Sequence, residues 1–87
     1  MNLTETIRER LATLAPIRLE IQDDSAAHAG HKGNGGGGHF YITITSSQFS
    51  QKSLIMRHRL IYQALSDLIP QQIHAVSIVA ISPTDPN

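Results

Sequence analysis

The chain has 87 residues, a formal net charge of zero with its five histidines neutral, and no cysteine. This length holds one small domain and excludes a two-lobed enzyme with a cleft between its lobes. The balanced charge argues against strong non-specific binding to nucleic acid or anionic lipid. The lack of cysteine excludes disulfides, thiolate nucleophiles and a self-contained cysteine metal site.

The sequence contains no pattern that would direct the chain to a membrane. No apolar run approaches the roughly 18 residues needed to span a bilayer. Residues 1–10 are polar and mixed in charge, whereas a secretory signal is basic and then apolar. We therefore expect a cytoplasmic protein that makes no membrane contact.

The first part of the chain is predicted to form a helix and then a strand. The apolar residues at the spacing of one helical face are Leu3, Ile7, Leu11 and Leu14. Asn2 and Glu5 are placed to form a capping box at the start of this helix, and Pro16 ends it. Residues 17–22 then alternate between apolar and polar types, which is typical of a strand with one solvated face.

A long glycine-rich connector separates this strand from a second one. Residues 23–38 read DDSAAHAGHKGNGGGG, and residues 40–45 alternate again with aromatic and β-branched types. Loops of this length in small domains are usually functional or disordered. We expect the 23–38 loop to be mobile in the free protein and to become ordered when a partner binds.

The second half of the chain predicts a helix, a strand and a loose tail. Phe49 is expected to be an anchor in the core, Ser53 caps a helix over residues 54–68, and Pro70 closes it. The inner stripe of that helix is predicted to be Leu54, His58, Ile61, Leu65 and Leu68. Residues 73–81 form an apolar strand whose members of one parity are His74, Val76, Ile78 and Ala80. Residues 82–87 are expected to be a loose tail.

The element order is helix, strand, strand, helix, strand, which predicts a single α+β domain over residues 1–87. The first two strands are expected to be antiparallel. The final strand-helix-strand passage implies a right-handed crossover to a parallel partner. The prediction is therefore a mixed three-stranded sheet with both helices on one face, without a fixed strand order.

Histidine is the prominent residue type, and the positions of the five histidines suggest different roles. His28 and His31 lie in the glycine-rich loop, and they meet His74 at the start of the third strand if the loop folds back over the sheet. Imidazole is the commonest metal ligand, although a histidine-rich loop is often simply solvated. His39 is expected to be structural at the sheet edge, and His58 is expected to be a hydrogen-bonded core histidine.

A small basic cluster lies near the start of the second helix, formed by Lys52, Arg57 and Arg59. Such charges usually form a solvated helix face, and the functional alternative is contact with phosphate or an acidic partner. The glycine run precedes a strand and lacks a following Lys-Ser/Thr pair, so a phosphate-binding loop is not supported. No set of nucleophile, base and orienting residue is discernible, and we expect no enzyme activity.

The segments DDSAAHAGH, GGGGHFYITITSSQF, KSLIMRHRLIYQAL and IHAVSI, in this order, resemble the BolA family from about residue 11 to residue 83. The resemblance implies a fold like the type II KH domain, which agrees with the predicted element order. Two features depart from the family pattern. Gln51 replaces the glycine common before the lysine of the turn, and the carboxyl-terminal tryptophan is missing.

The resemblance also implies a function. BolA-like proteins pair with monothiol glutaredoxins and share a two-iron two-sulfur cluster, to which glutaredoxin and glutathione supply thiolates. The implied ligands here are His28 and His74, with His31 as an alternative to His28. Independently, a chain without cysteine needs thiolates from elsewhere to hold such a cluster. We therefore expect a non-enzymatic iron-regulatory adaptor that is a monomer or weak homodimer alone.

The alternative hypothesis is a DNA-binding transcriptional regulator, a role that is also proposed for members of the family. Its candidate contacts are Lys52, Arg57 and Arg59. The neutral net charge argues against strong unassisted DNA binding, but it permits a dimeric or specific mode.

Overall fold

The computed structural model describes residues 2–24 and 38–86. Its helices and strands are α1 (Leu3–Leu11), β1 (Arg18–Asp23), β2 (Gly38–Thr45), α2 (Leu54–Ala64) and β3 (Ile73–Ile81). Single turns of 3₁₀ helix follow α1 at Ala12–Leu14 and β2 at Ser47–Phe49. The predicted element order is confirmed. Most of the 23–38 loop, including His28 and His31, lies outside the described residues, so its predicted mobility stays a prediction.

The three strands form one mixed sheet in the order β1-β2-β3. β1 pairs with β2 in antiparallel orientation, with Leu19 opposite Ile44. β2 pairs with β3 in parallel orientation, with Ile42 opposite Ile78. Parallel strands require a crossover, and α2 supplies it. The sheet and the two helices confirm the predicted α+β architecture, and the structure adds that β2 is the central strand.

The predicted helix starts are confirmed, but both helices end early. The Asn2 side chain accepts a hydrogen bond from the Glu5 N–H at 2.9 Å, and the Ser53 hydroxyl accepts one from the Met56 N–H at 3.2 Å. Each bond satisfies a donor that the first helical turn leaves open. α2 ends at Ala64, because the backbone leaves the helical region at Leu65 and continues in turns to residue 72.

One apolar core lies between the helices and the inner face of the sheet. Its buried members are Ile7, Leu11, Leu14, Phe40, Ile42, Ile44, Phe49, Ile61, Leu65, Leu68, Ile73 and Ala80. Phe49 is completely buried, as predicted. Truncation of such a side chain to alanine typically costs about 3–5 kcal/mol of stability. Among the described residues, no helix is long and apolar enough to cross a bilayer.

The predicted inner stripe of α2 is wrong at its start. Leu54 is 64% exposed and His58 is only half-buried, whereas Arg57 is 7% exposed. The stripe that packs inward is therefore Arg57, Ile61 and Leu65. The expectation for His58 as a core histidine fails because Arg57, one residue earlier, takes the inward position.

The tail also differs from the predicted loose segment. Ser82 is buried, and its N–H donates to the Asp85 carboxylate at 2.9 Å. The Ser82 hydroxyl lies 2.7 Å from that of Ser50, beyond the end of β2. Hydrogen bonds thus attach the chain to the domain at least as far as Asp85.

Candidate metal-ligand site and basic helix

A β-bulge at the start of β3 determines where His74 lies. Gly38 pairs with Ile73, but His39 pairs with Ala75, so the register shifts by one residue and His74 is the extra one. Ile73 takes the buried position and His74 is exposed. His74 shares the sequence parity of Val76 and Ala80, which pack toward the core, but it is exposed because the bulge interrupts the alternation. Bulges commonly redirect a side chain in this way beside functional sites.

The exposed ring of His74 lies against a second histidine. The ring centroids of His39 and His74 are 5.3 Å apart, with their planes inclined at 41°. His39 is half-buried between two buried neighbours, Gly38 and Phe40, and its carbonyl accepts a 2.7 Å hydrogen bond from the Asp24 N–H. His39 was expected at the sheet edge, and it lies instead at the end of the central strand. The structure brings together a pair of imidazoles that the sequence pattern did not indicate.

A cavity of about 270 Å³ adjoins His74. It is lined by Tyr62, Ile69, Ile73, His74, Ala75 and Val76. Four of these six residues have apolar side chains, and His74 and Tyr62 contribute polar groups. The surroundings suit contact with another macromolecule, since an apolar surface around a few polar groups is typical of binding sites.

The described residues do not by themselves complete a metal site. No group of three or more His, Cys, Asp or Glu side chains in residues 2–24 and 38–86 is arranged to hold a metal ion. His74 is nevertheless suited to act as one ligand, because it is an exposed imidazole on a strand held by the sheet. The other predicted ligands, His28 or His31, lie outside the described residues, so the predicted ligand set is not tested.

The structure shows that the residues of the predicted basic cluster near α2 differ in their contacts. The Arg57 guanidinium donates to both carboxylate oxygens of Asp85, at 2.6 and 2.8 Å. It also donates to the carbonyls of Lys52 and Ala80 at 3.0 and 3.1 Å. Arg57 is therefore engaged inside the domain and is not presented to phosphate, contrary to its place in the predicted cluster. Lys52 and Arg59 are exposed.

The Arg57 contact also changes the ionisation of its partner. Hydrogen bonds from the Arg57 side chain and then from the Ser82 backbone N–H lower the pKa of Asp85 to about 2. Both bonds favour the ionised carboxylate. Asp85 consequently remains charged through the whole neutral and mildly acidic range, and the bidentate pair persists there.

The outer face of α2 carries a larger open groove of about 490 Å³. Its lining consists of Ile55, His58, Arg59, Tyr62, Gln63 and Ser66. The first turn of α2 adds two further exposed apolar side chains, Leu54 and Met56. This face combines apolar surface with the exposed cation of Arg59.

Comparison with known proteins identifies the family. The family model described as BolA-like protein matches residues 11–85. The match covers most of the chain. The chain belongs to the BolA family.

Individual relatives agree with this assignment. The chain is 45% identical over 86 residues to SufE-like protein 1 of Arabidopsis thaliana, covering 91% of the chain but only 23% of that protein. It is 32% identical to the DNA-binding transcriptional regulator BolA of Escherichia coli, covering 90% of the chain and 73% of the relative. The solved structure of BolA1 from A. thaliana superimposes with a TM-score of 0.82 at 34% identity, covering 100% and 99% of the two chains.

Proposed function

We propose that this protein is a non-enzymatic adaptor that binds a monothiol glutaredoxin and contributes ligands to a bridging two-iron two-sulfur cluster. His74 is the fixed ligand, and His28 is the loop ligand, with His31 able to replace it. Glutaredoxin and glutathione supply the thiolates. Imidazole ligands on one iron raise the reduction potential above that of an all-thiolate cluster.

The observation that carries this proposal is the exposure of His74 at the β3 bulge. A histidine at the inward parity of a strand would be surrounded by core side chains, but the extra residue turns this imidazole to solvent. Its backbone is held by the sheet, so the ring is available to a metal that a partner presents. The adjoining cavity gives that partner a surface to contact.

The test combines the purified protein with a monothiol glutaredoxin, glutathione, iron and sulfide under anaerobic conditions. Visible absorption and circular dichroism then report whether a mixed cluster forms. We expect His74→Ala to abolish or grossly alter the mixed-cluster spectrum. We expect His28→Ala to have a partial effect and His28→Ala with His31→Ala to have a full effect, because the second loop imidazole is then also removed.

His58→Ala is the matched control, because it removes a partly exposed imidazole on α2 instead of at β3. Its spectrum should equal that of the unmodified protein. Thermal melts of each free variant separate ligand loss from unfolding. An unchanged spectrum for His74→Ala would refute the site, and a large loss of stability in that variant would make His74 structural.

The second candidate function is that of a DNA-binding regulator, favoured by the relative named as one in E. coli. Lys52 and Arg59 are the exposed cations that supply contacts to phosphate, since Arg57 is engaged with Asp85. Fluorescence anisotropy with duplex DNA at several salt concentrations tests it. Lys52→Ala with Arg59→Ala should reduce the salt slope by up to about two units, and Arg8→Ala on α1 is the control. Absence of binding at micromolar protein and low salt would refute this function for the chain alone.

A further inference from the structure

We propose that His39 is a positioning residue for His74. Its half-buried ring lies beside the exposed His74 ring and limits the directions in which that imidazole points. This inference rests on the proposed function, in which His74 binds a metal that the partner presents. His39 itself is not assigned as a ligand.

The backbone of His39 is held firmly. It occupies the central strand, with β1 on one side and β3 on the other. Its carbonyl accepts the Asp24 N–H, and the preceding residue, Gly38, donates its own N–H to the Gln72 carbonyl at 2.9 Å. Strand partners on both sides therefore fix the backbone from which the His39 ring projects.

The His74 side chain is less restrained than that of His39. As the extra residue of the bulge, it has no strand partner directly opposite, and its side chain is exposed. An exposed histidine samples several rotamers, and metal binding must restrict it to one, at an entropic cost. A neighbouring ring at 5.3 Å removes some of those rotamers before binding. Groups that orient a ligand from outside its coordination bond typically alter metal affinity by 10-fold or more.

The experiment compares His39→Ala, which removes the ring, with His39→Phe, which retains an aromatic ring. Tyr41→Ala is the matched control, because it removes an exposed ring two residues further along β2. The first readout is the rotamer distribution of His74 in the free protein, measured by NMR three-bond couplings to its Hβ protons. The second is the monothiol glutaredoxin concentration that gives half of the mixed-cluster circular dichroism signal.

We expect His39→Ala to broaden the His74 rotamer distribution and to raise the half-maximal glutaredoxin concentration about three- to tenfold. The band positions should not change, because His74 still binds the metal. His39→Phe should remain within about twofold of the unmodified protein in both readouts, and Tyr41→Ala should match it. Unchanged His74 couplings in His39→Ala would overturn the inference, and so would a His39→Phe variant that behaves like His39→Ala.

The two readouts separate this inference from the function on which it rests. If the unmodified protein forms no mixed cluster, the proposed function fails, and the inference that His39 prepares a metal ligand falls with it. If the cluster forms and the variants leave it unaffected, only the positioning role fails. Thermal melts establish that each variant is folded before either readout is interpreted.

Discussion

Replacement of Gln51 by glycine should stabilise the protein. Gln51 has a φ angle of 63°, in the left-handed region that favours glycine, and it lies in the turn between the 3₁₀ segment and α2. Its side chain is exposed and makes no hydrogen bond to the other described residues. Glycine would adopt this backbone conformation without the steric cost of a Cβ.

The expected magnitude follows from two opposing terms. A left-handed conformation costs a residue with a Cβ roughly 1–2 kcal/mol. Glycine in turn adds entropy to the unfolded chain, which costs about 0.4–1 kcal/mol of stability. The net gain for Gln51→Gly is about 0.5–1 kcal/mol. In a domain of this size, that corresponds to an increase in Tm of about 2–8 °C.

Urea unfolding followed by circular dichroism measures this difference. We expect a higher midpoint with an unchanged m-value, because the surface exposed on unfolding is the same. Gln51→Ala is the control, since it removes the side chain and keeps the strained φ angle, and it should show no gain. A Gln51→Gly variant no more stable than Gln51→Ala would refute the argument from backbone strain.

Two further predictions concern the tail and the bulge. Asp85→Asn should lower stability at neutral pH, because the ionised carboxylate binds Arg57. Since folding lowers the Asp85 pKa to about 2, its contribution is complete above the unfolded pKa of about 4. The stability difference between the two proteins should shrink as pH falls from about 4 to 2 in urea unfolding, and a constant difference would contradict it. Gly38→Ala should cost about 1–3 kcal/mol, because the added Cβ would overlap the buried Phe40 ring. Equal thermal melts of this variant and the unmodified protein would show that the ring can move aside.

The sequence predicted the elements well where a single periodicity determines them. The alternation in β1 and β2 and the caps at Asn2 and Ser53 are local signals, and the structure confirms them. The early end of α2 was missed, because Leu65 and Leu68 remain buried although the chain around them forms turns. Buried residues at helical spacing therefore continue past the end of α2.

Which face of α2 packs toward the core was not predictable by the same reasoning. Arg57 lies four residues before Ile61 and His58 lies three residues before it, so both fit the spacing of an inward stripe. A buried arginine is unfavourable unless it is paired, and the partner that pairs it, Asp85, is 28 residues away. No local pattern indicates that contact.

The candidate site was predictable only in part. His74 was identified at the start of the last strand, but its exposure depends on a bulge that simple alternation conceals. The neighbouring ring of His39 is 35 residues earlier in the sequence. It reaches His74 only through the parallel register of β2 and β3, which the sequence does not specify.

The bond between Arg57 and Asp85 also determines the point at which the polypeptide leaves the domain. Asp85 accepts hydrogen bonds from Arg57 of α2, and Arg57 also donates to the Ala80 carbonyl of β3, so the chain after Asp85 departs from beside the beginning of α2. A neighbouring domain or an affinity tag joined after residue 86 would be attached close to this anchored point and not at the end of a flexible linker. Its orientation relative to the sheet would then be limited from the first residues of the linker. Truncation of the chain before Asp85 would remove this attachment of the tail and leave the Arg57 charge without its carboxylate partner.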